Sequence, residues 1–343
     1  MLVRGNLVTL PTLGDLQILH DHLLAISPTG HITHNAPFSA PSSQALLSCS
    51  TDELKTLLRG TFLLPAFVDL HLHAPQFLYQ GTGLHLPLMQ WLDAYAFKAE
   101  ERLDNDPALA RRVYKQLSAR LIENGTGSVL LFGTIREETN LILAEVMQHA
   151  GLRAYIGKLS MDIDIASRPT YIESSSGTLR AAESFAHQCR ALTSALPTHR
   201  RLIEPVLTPR FVPTCSDELL NGLGKLAAKD TQGLRIQSHL AEAADEVSWV
   251  QSTRGAEDID VFDRHGLLTP RTIQAHCTFL SPPSLARLAE RGTAIAHCPL
   301  SNAYFSSKPF PLKEALEAGV KVGLGTDVAG GYSLDVMNAM RWE

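Results

Sequence analysis

No stretch of this chain stays apolar for the roughly 18–20 residues that a bilayer-spanning helix needs, so nothing in it reads as a membrane anchor. The opening MLVRGNLVTLPTLGDL lacks the apolar core of a secretory leader. Cysteine is scarce. Cys49, Cys189, Cys215, Cys277 and Cys298 are five, an odd number, widely spaced and without a CxxC pair. That excludes a disulfide framework and suits a reduced, cytoplasmic protein. Basic charge is lacking too: 30 Lys and Arg stand against 35 Asp and Glu, a net charge of -5. Such a chain has no positive field for nucleic acid or an acidic membrane surface. No repeat of fixed period and no low-complexity tract is present.

What remains is length and apolar content. The 343 residues, 45% of them apolar, suffice for one large domain with a sizeable core plus a smaller one. Residues 1–62 carry short apolar stretches (2–3, 7–10, 16–19, 23–26) separated by Gly14, Pro28 and Gly30. The SPTGHIT segment is turn chemistry between two strands. We read a small β-sheet domain, an incomplete β-sandwich, with a polar loop over 37–50. From residue 63 to 343 the rhythm is strand then helix. Candidate strands cover 64–71, 128–132, 154–161, 202–208, 234–239, 272–276, 294–297 and 321–325. Helical stretches cover 88–102, 108–123, 179–196, 217–229, 282–291 and 313–318. Asp106-Pro107 gives one of them an N-cap followed by proline at the first helical position. Eight strands with intervening helices predict an α/β fold, a (β/α)8 barrel of the TIM type.

Active sites of such barrels lie at the carboxyl ends of the strands. The apolar run FLLPAFVDL delivers His71 and His73 to the first of those ends, and residues i and i+2 of a strand share a face. The fourth strand ends in Arg210 and Phe211, the fifth in His239 with Glu242 three residues on, the sixth in His276, the seventh in His297 and the eighth in Asp327. Each alone has a plain explanation: a lone histidine usually braces a turn, Arg210 reads as a surface cation, Asp327 as an N-cap. Together, groups of metal-ligand type on four strands of one rim point to a metal. His297 is intermediate, because Cys298-Pro299 beside it marks a tight turn. The histidines at 20, 22, 31, 34, 149, 187, 199 and 265 lie elsewhere and read as structural.

Three imidazoles and a carboxylate suit Zn2+ or Fe2+. Such a metal lowers the pKa of water from about 15.7 towards about 7. Asp327 can accept the water's proton, Glu242 can carry it to the substrate, and His276 can either polarise the attacking water or stabilise a developing oxyanion. The chemistry is hydrolysis at an unsaturated carbon.

HxH on strand one, HxxE on strand five, His on strand six and TD on strand eight resemble the amidohydrolase superfamily in its mononuclear deaminase branch. The stretches HLHAPQFLYQGTGLHLPLMQWL, GKLSMD, TPRF, QSHLAE, HCPLSN and GLGTDVAGGYSL are similar to those of the guanine deaminases within it. The resemblance implies zinc held by His71, His73, His239 and Asp327, a purine held by Gln76, Arg210 and Phe211, and chemistry assisted by Glu242 and His276. It implies guanine as the small-molecule substrate, a cytoplasmic setting and a homodimer. Binuclear relatives bridge two metals through a lysine on strand four, which this chain lacks there, so one zinc per chain is expected. Guanine presents paired acceptors, O6 and N7, which an arginine fork matches. Pro65-Ala66, His85 and Leu300 depart from the family pattern at places where it usually has Pro-Gly, Asp and Asn. The family usually continues past the strand-eight Asp, so truncation at the carboxyl end, with exposed apolar surface and strand edges, is a further expectation. Two other readings stand beside this one: a sister deaminase acting on another aminated ring, and an inactive shortened form that binds a full-length partner.

Overall fold

The computed structural model describes residues 1–166, 168–306 and 308–342. The chain divides into two compact units, Met1–Ala66 with Leu196–Arg201, and Phe67–Ala195 with Leu202–Glu343; Glu343 itself lies outside the described residues.

The first unit is a five-stranded sheet. Strand β1 (Leu2–Thr12) pairs antiparallel with β2 (Asp15–Ile26), which pairs antiparallel with β3 (Ile32–Pro37). On its other edge β1 runs parallel to β4 (Leu54–Thr56) and β5 (Phe62–Leu63). The four short apolar stretches thus merge into two long strands. The break between the first two stretches is a register shift between Gly5 and Leu7, whereas Gly14 sits in the turn that joins β1 to β2. The expected polar loop over 37–50 contains a helix, Pro41–Cys49. Its Leu46 and Leu47 pack with Leu2, Leu23 and Ala25, so a serine-rich stretch folds because two leucines find an apolar face. Leu10, Leu13, Leu16 and Ile18, at the far end of the hairpin, are exposed.

The second unit is the barrel. Its strands are β6 (Phe67–His73), β7 (Thr126–Phe132), β8 (Arg153–Ser160), β9 (Ile203–Pro209), β10 (Arg235–Leu240), β11 (Thr272–His276), β12 (Ala294–His297) and β13 (Val322–Leu324). All are parallel and follow sequence order around the sheet. Just past β13 the chain bonds back to β6: Asp327 N donates to His71 O at 2.8 Å and His73 N to Val328 O at 2.9 Å. Helices start on side-chain caps. Asp106, Ser174, Ser216 and Ser281 each accept a backbone N–H of the first turn, satisfying donors that would otherwise be orphaned. The helices Glu137–Ala150 and Ala244–Arg254 join those read from the sequence, and none is long and apolar enough to cross a membrane among the described residues.

One local irregularity aims the site. β6 starts three residues later than expected and carries an extra residue relative to β7 between Asp69 and Leu72. Such a bulge resets the alternation of side chains. Leu70 and His71 therefore lie against Gly323 of β13 and Gly325 just past its end, which leave room for them. A Cβ on Gly325 would lie 2.7 Å from His71 Cβ and 3.1 Å from its backbone nitrogen. We expect Gly325→Ala to cost about 1–3 kcal/mol, the usual penalty of overpacking, read as a lower calorimetric midpoint. An unchanged midpoint would contradict this close approach.

Candidate active site

The carboxyl end of β6 places His71 and His73 side by side, 1% and 4% exposed. β10 brings His239 against them: His73 Nε2 lies 3.0 Å from His239 Nε2. His239 Nδ1 lies 2.7 Å from the Arg210 carbonyl oxygen, which can only accept, so Nδ1 carries the hydrogen and Nε2 presents its lone pair inward. Asp327 Oδ1 stands 3.0 Å from His71 Nε2 and 3.5 Å from His73 Nε2. No hydrogen bond is made by the buried His71 Nε2, His73 Nδ1 or His276 Nε2.

Three ring nitrogens and a carboxylate oxygen thus converge, and several have no hydrogen to share. Unpaired buried acceptors facing one another are costly, and a cation among them removes that cost. The donor set fits Zn2+ or Fe2+. Cys298 also comes within 4.8 Å of His71, His276 and Asp327. Its thiol donates to Ala296 O, and burial together with Asp327 and Asp69 pushes it well above the ordinary thiol range. It is the poorer ligand, because thiolate rather than thiol binds metal.

Two carboxyl groups in this pocket are driven apart. Glu242 is pushed well up, by burial first and then by Asp327 and Glu246. Asp327 is held below its usual range although burial opposes its charge, because His71 and then His276 favour the ionised form. His276 Nε2 lies 3.4 Å from Glu242 Oε2 and 3.8 Å from Asp327 Oδ2. Burial lowers His276 to about 4, and it pushes His73 and His239 well down, with His71 adding to the effect. Asp327 and His276 hold left-handed backbone, φ 51° and 67°, a strain of the kind that gathers at functional sites.

Beside this cluster lies a narrow, partly enclosed pocket of about 20 Å3. Gln76, Arg210 and Phe211 line it, with Leu88, Trp91, Leu92 and Phe305 as apolar walls. Phe211 meets His239 edge-on at 6.3 Å. The sequence-predicted residues on both sides of the pocket are therefore brought together. His297 stands one shell out, and Asp162 and Asp164 brace loops by accepting from Ser175, Ser216 and the Ala166 and Arg168 backbone.

Two residues escaped the sequence reading. Glu100, fully buried on the helix Phe97–Asp104, accepts from Arg210 Nη1 at 2.7 Å, Gln76 Nε2 at 2.8 Å and the Tyr171 hydroxyl at 2.9 Å. It holds both polar residues of the pocket at once. Burial works against the Arg210 charge, yet Glu100 keeps that guanidinium above its usual value. Gln76 Oε1 meanwhile takes the Ala329 N–H at 3.4 Å. Glu100 was visible in principle: with Leu92, Ala96 and Leu103 it falls on the apolar stripe of a helix, where a lone carboxylate needs a partner. Asp69 accepts from Thr326 Oγ1 at 2.5 Å, Thr326 N at 3.0 Å and His71 N at 3.2 Å, tying the first ligand strand to the turn that carries Asp327.

The chain matches the amidohydrolase family over residues 62–343. It is 36% identical to mouse (Mus musculus) guanine deaminase over 344 residues, covering 99% of this chain and 74% of that one. Against the guanine deaminase of Escherichia coli K12 it is 34% identical over 284 residues, 82% of this chain and 62% of that one. Among solved structures, guanine deaminase from C. acetobutylicum with guanine bound in its active site superimposes with a TM-score of 0.89 at 29% identity, covering 99% of this chain and 77% of that one.

Proposed function

The chain belongs to the amidohydrolase family, and we propose that it hydrolyses guanine to xanthine and ammonia. The observation that carries this reading is the junction of two clusters in one pocket: the imidazole–carboxylate group on β6, β10 and the turn after β13, and the buried Arg210–Glu100–Gln76 network.

His71, His73, His239 and Asp327 would hold one zinc ion. When bound, the metal supplies the Lewis acidity that lets a water lose its proton near neutral pH. The chain's own residues do the rest. Arg210 spends Nη1 on Glu100, and its remaining N–H groups match O6 and N7 of guanine. Adenine offers an amino donor at that edge, which a guanidinium cannot accept. With that edge gripped, the amino-bearing C2 turns towards His73, His239 and Asp327. Phe211 stacks on the ring. Asp327, held ionised, accepts the water's proton. Glu242, its pKa pushed well up, serves a ring nitrogen as proton donor, and a pair of carboxyl groups with diverging pKa values is what acid–base division of labour requires. Oxygen from water adds at C2 and the amino group leaves as ammonia.

The reading of one metal per chain is supported by β9, which contains no lysine to bridge a second ion. The nearest candidate, Lys158 on β8, is spent on Glu173 at 2.6 Å and the Leu159 carbonyl at 3.0 Å. We expect prolonged chelation to bring ammonia release from guanine to background and added Zn2+ to restore it. Turnover persisting in protein shown to be metal-free would contradict this reading.

A further inference from the structure

His276 is fastened to the barrel through one amide. Its Nδ1 lies 2.9 Å from Asn302 Oδ1. The other end of that amide, Asn302 Nδ2, lies 3.3 Å from His297 Nδ1. All three side chains are buried, His276 at 0% and Asn302 and His297 at 4% exposed, so bulk water does not replace these bonds. The His297 ring is itself held, stacked on Phe310 at 4.6 Å and 21°.

The donor logic runs from the outside inwards. An amide nitrogen can only donate, so His297 Nδ1 accepts; the amide oxygen can only accept, so His276 Nδ1 carries the hydrogen. In a neutral imidazole the other nitrogen then bears a lone pair. We propose that His297 and Asn302 are positioning residues that lock the tautomer of His276, presenting its Nε2 as an acceptor beside Glu242 and Asp327. The opposite amide orientation would make Nε2 a donor. The inference rests on the guanine-hydrolysis reading for its consequence, and it decides between two roles. An acceptor receives a hydrogen bond from the attacking water and so orients it while Asp327 takes its proton; it cannot stabilise an oxyanion, which needs a donor. His276 therefore serves the nucleophile.

The test has an arm that needs no turnover. Long-range 1H–15N spectra of histidine-labelled, metal-free protein, with His276 assigned by its absence in His276→Gln, should show pyrrole-type Nδ1 and pyridine-type Nε2. In Asn302→Leu the signature should become a mixture. With zinc bound, the same variant should lose about 10²-fold in kcat, the scale of misplaced acid–base help, with KM and metal content near those of the parent. A second pair guards against misfolding: His297→Phe keeps the ring against Phe310 but removes the acceptor, and His297→Gln restores one. The phenylalanine variant should lose kcat and the glutamine variant recover much of it. Pyrrole-type Nε2 in the parent, parental kcat in Asn302→Leu, or equal behaviour of the His297 pair would each overturn the proposal. The spectral arm separates its failure from failure of the guanine reading.

Discussion

Glu242→Gln is expected to lower kcat for ammonia release from guanine by about 10³-fold while leaving zinc in place, within the range that general acid–base groups contribute. The carboxyl group is 5% exposed and stands 3.4 Å from His276 Nε2. Burial and the neighbouring Asp327 push its pKa well up. Glutamine has the same shape and can donate a hydrogen bond, but it cannot give up a proton. The residue is not among the proposed ligands, so metal content should hold, and the loss should fall on kcat rather than KM, as for an interaction made only in the transition state. Steady-state kinetics with metal analysis checks this. A kcat within tenfold of the parent would remove Glu242 from the proton path.

Arg210→Ala should cost most of the preference for guanine over other aminopurines, and it should also destabilise the protein. The guanidinium and the Glu100 carboxylate are both almost wholly buried, 2.7 Å apart. Removing one partner strands a buried charge, at about 3–5 kcal/mol. Loss of recognition and loss of fold would then mix. Arg210→Lys separates them. Lysine keeps the positive charge for Glu100 but offers a point donor instead of a planar fork. A well-made bidentate contact discriminates by about 1–3 kcal/mol, so kcat/KM for guanine relative to 2-aminopurine, which lacks O6, should fall roughly 10- to 100-fold with the melting midpoint nearly kept. An unchanged ratio in Arg210→Lys would contradict the assignment of the fork to the purine edge.

Much of this site was legible because its ligands obey short-range rules. His71 and His73 are two apart on a strand, and His239, His276 and Asp327 each stand at or just past the end of a strand read from the sequence, so a barrel reading alone gathers them at one rim. The rest depends on relations that the linear pattern does not carry. The bulge between Asp69 and Leu72 shifts the first strand to Phe67–His73, and nothing local announces it. Glu100 falls on an apolar stripe, which signals that it needs a partner, but that partner, Arg210, lies 110 positions away and no local pattern names it. Asp69 serves a threonine 257 positions on. Pro41–Cys49 looked like a loop because proline and serine favour turns, and packing of Leu46 and Leu47 overrode that preference. The helix expected over 88–102 is divided into Leu88–Trp91, a π-turn over Leu92–Ala96 and Phe97–Asp104. Such a turn shifts the helical phase, and here it immediately precedes the segment that carries Glu100.

The most direct test of the account is one assay on purified protein with its metal counted: ammonia release from guanine, with adenine and cytosine as controls and xanthine identified as product. The account predicts ammonia from guanine alone and about one zinc per chain, as a single three-imidazole, one-carboxylate site requires. Ammonia from adenine at a comparable rate would contradict the role given to Arg210, and full zinc occupancy without any release from guanine would contradict the proposed reaction itself.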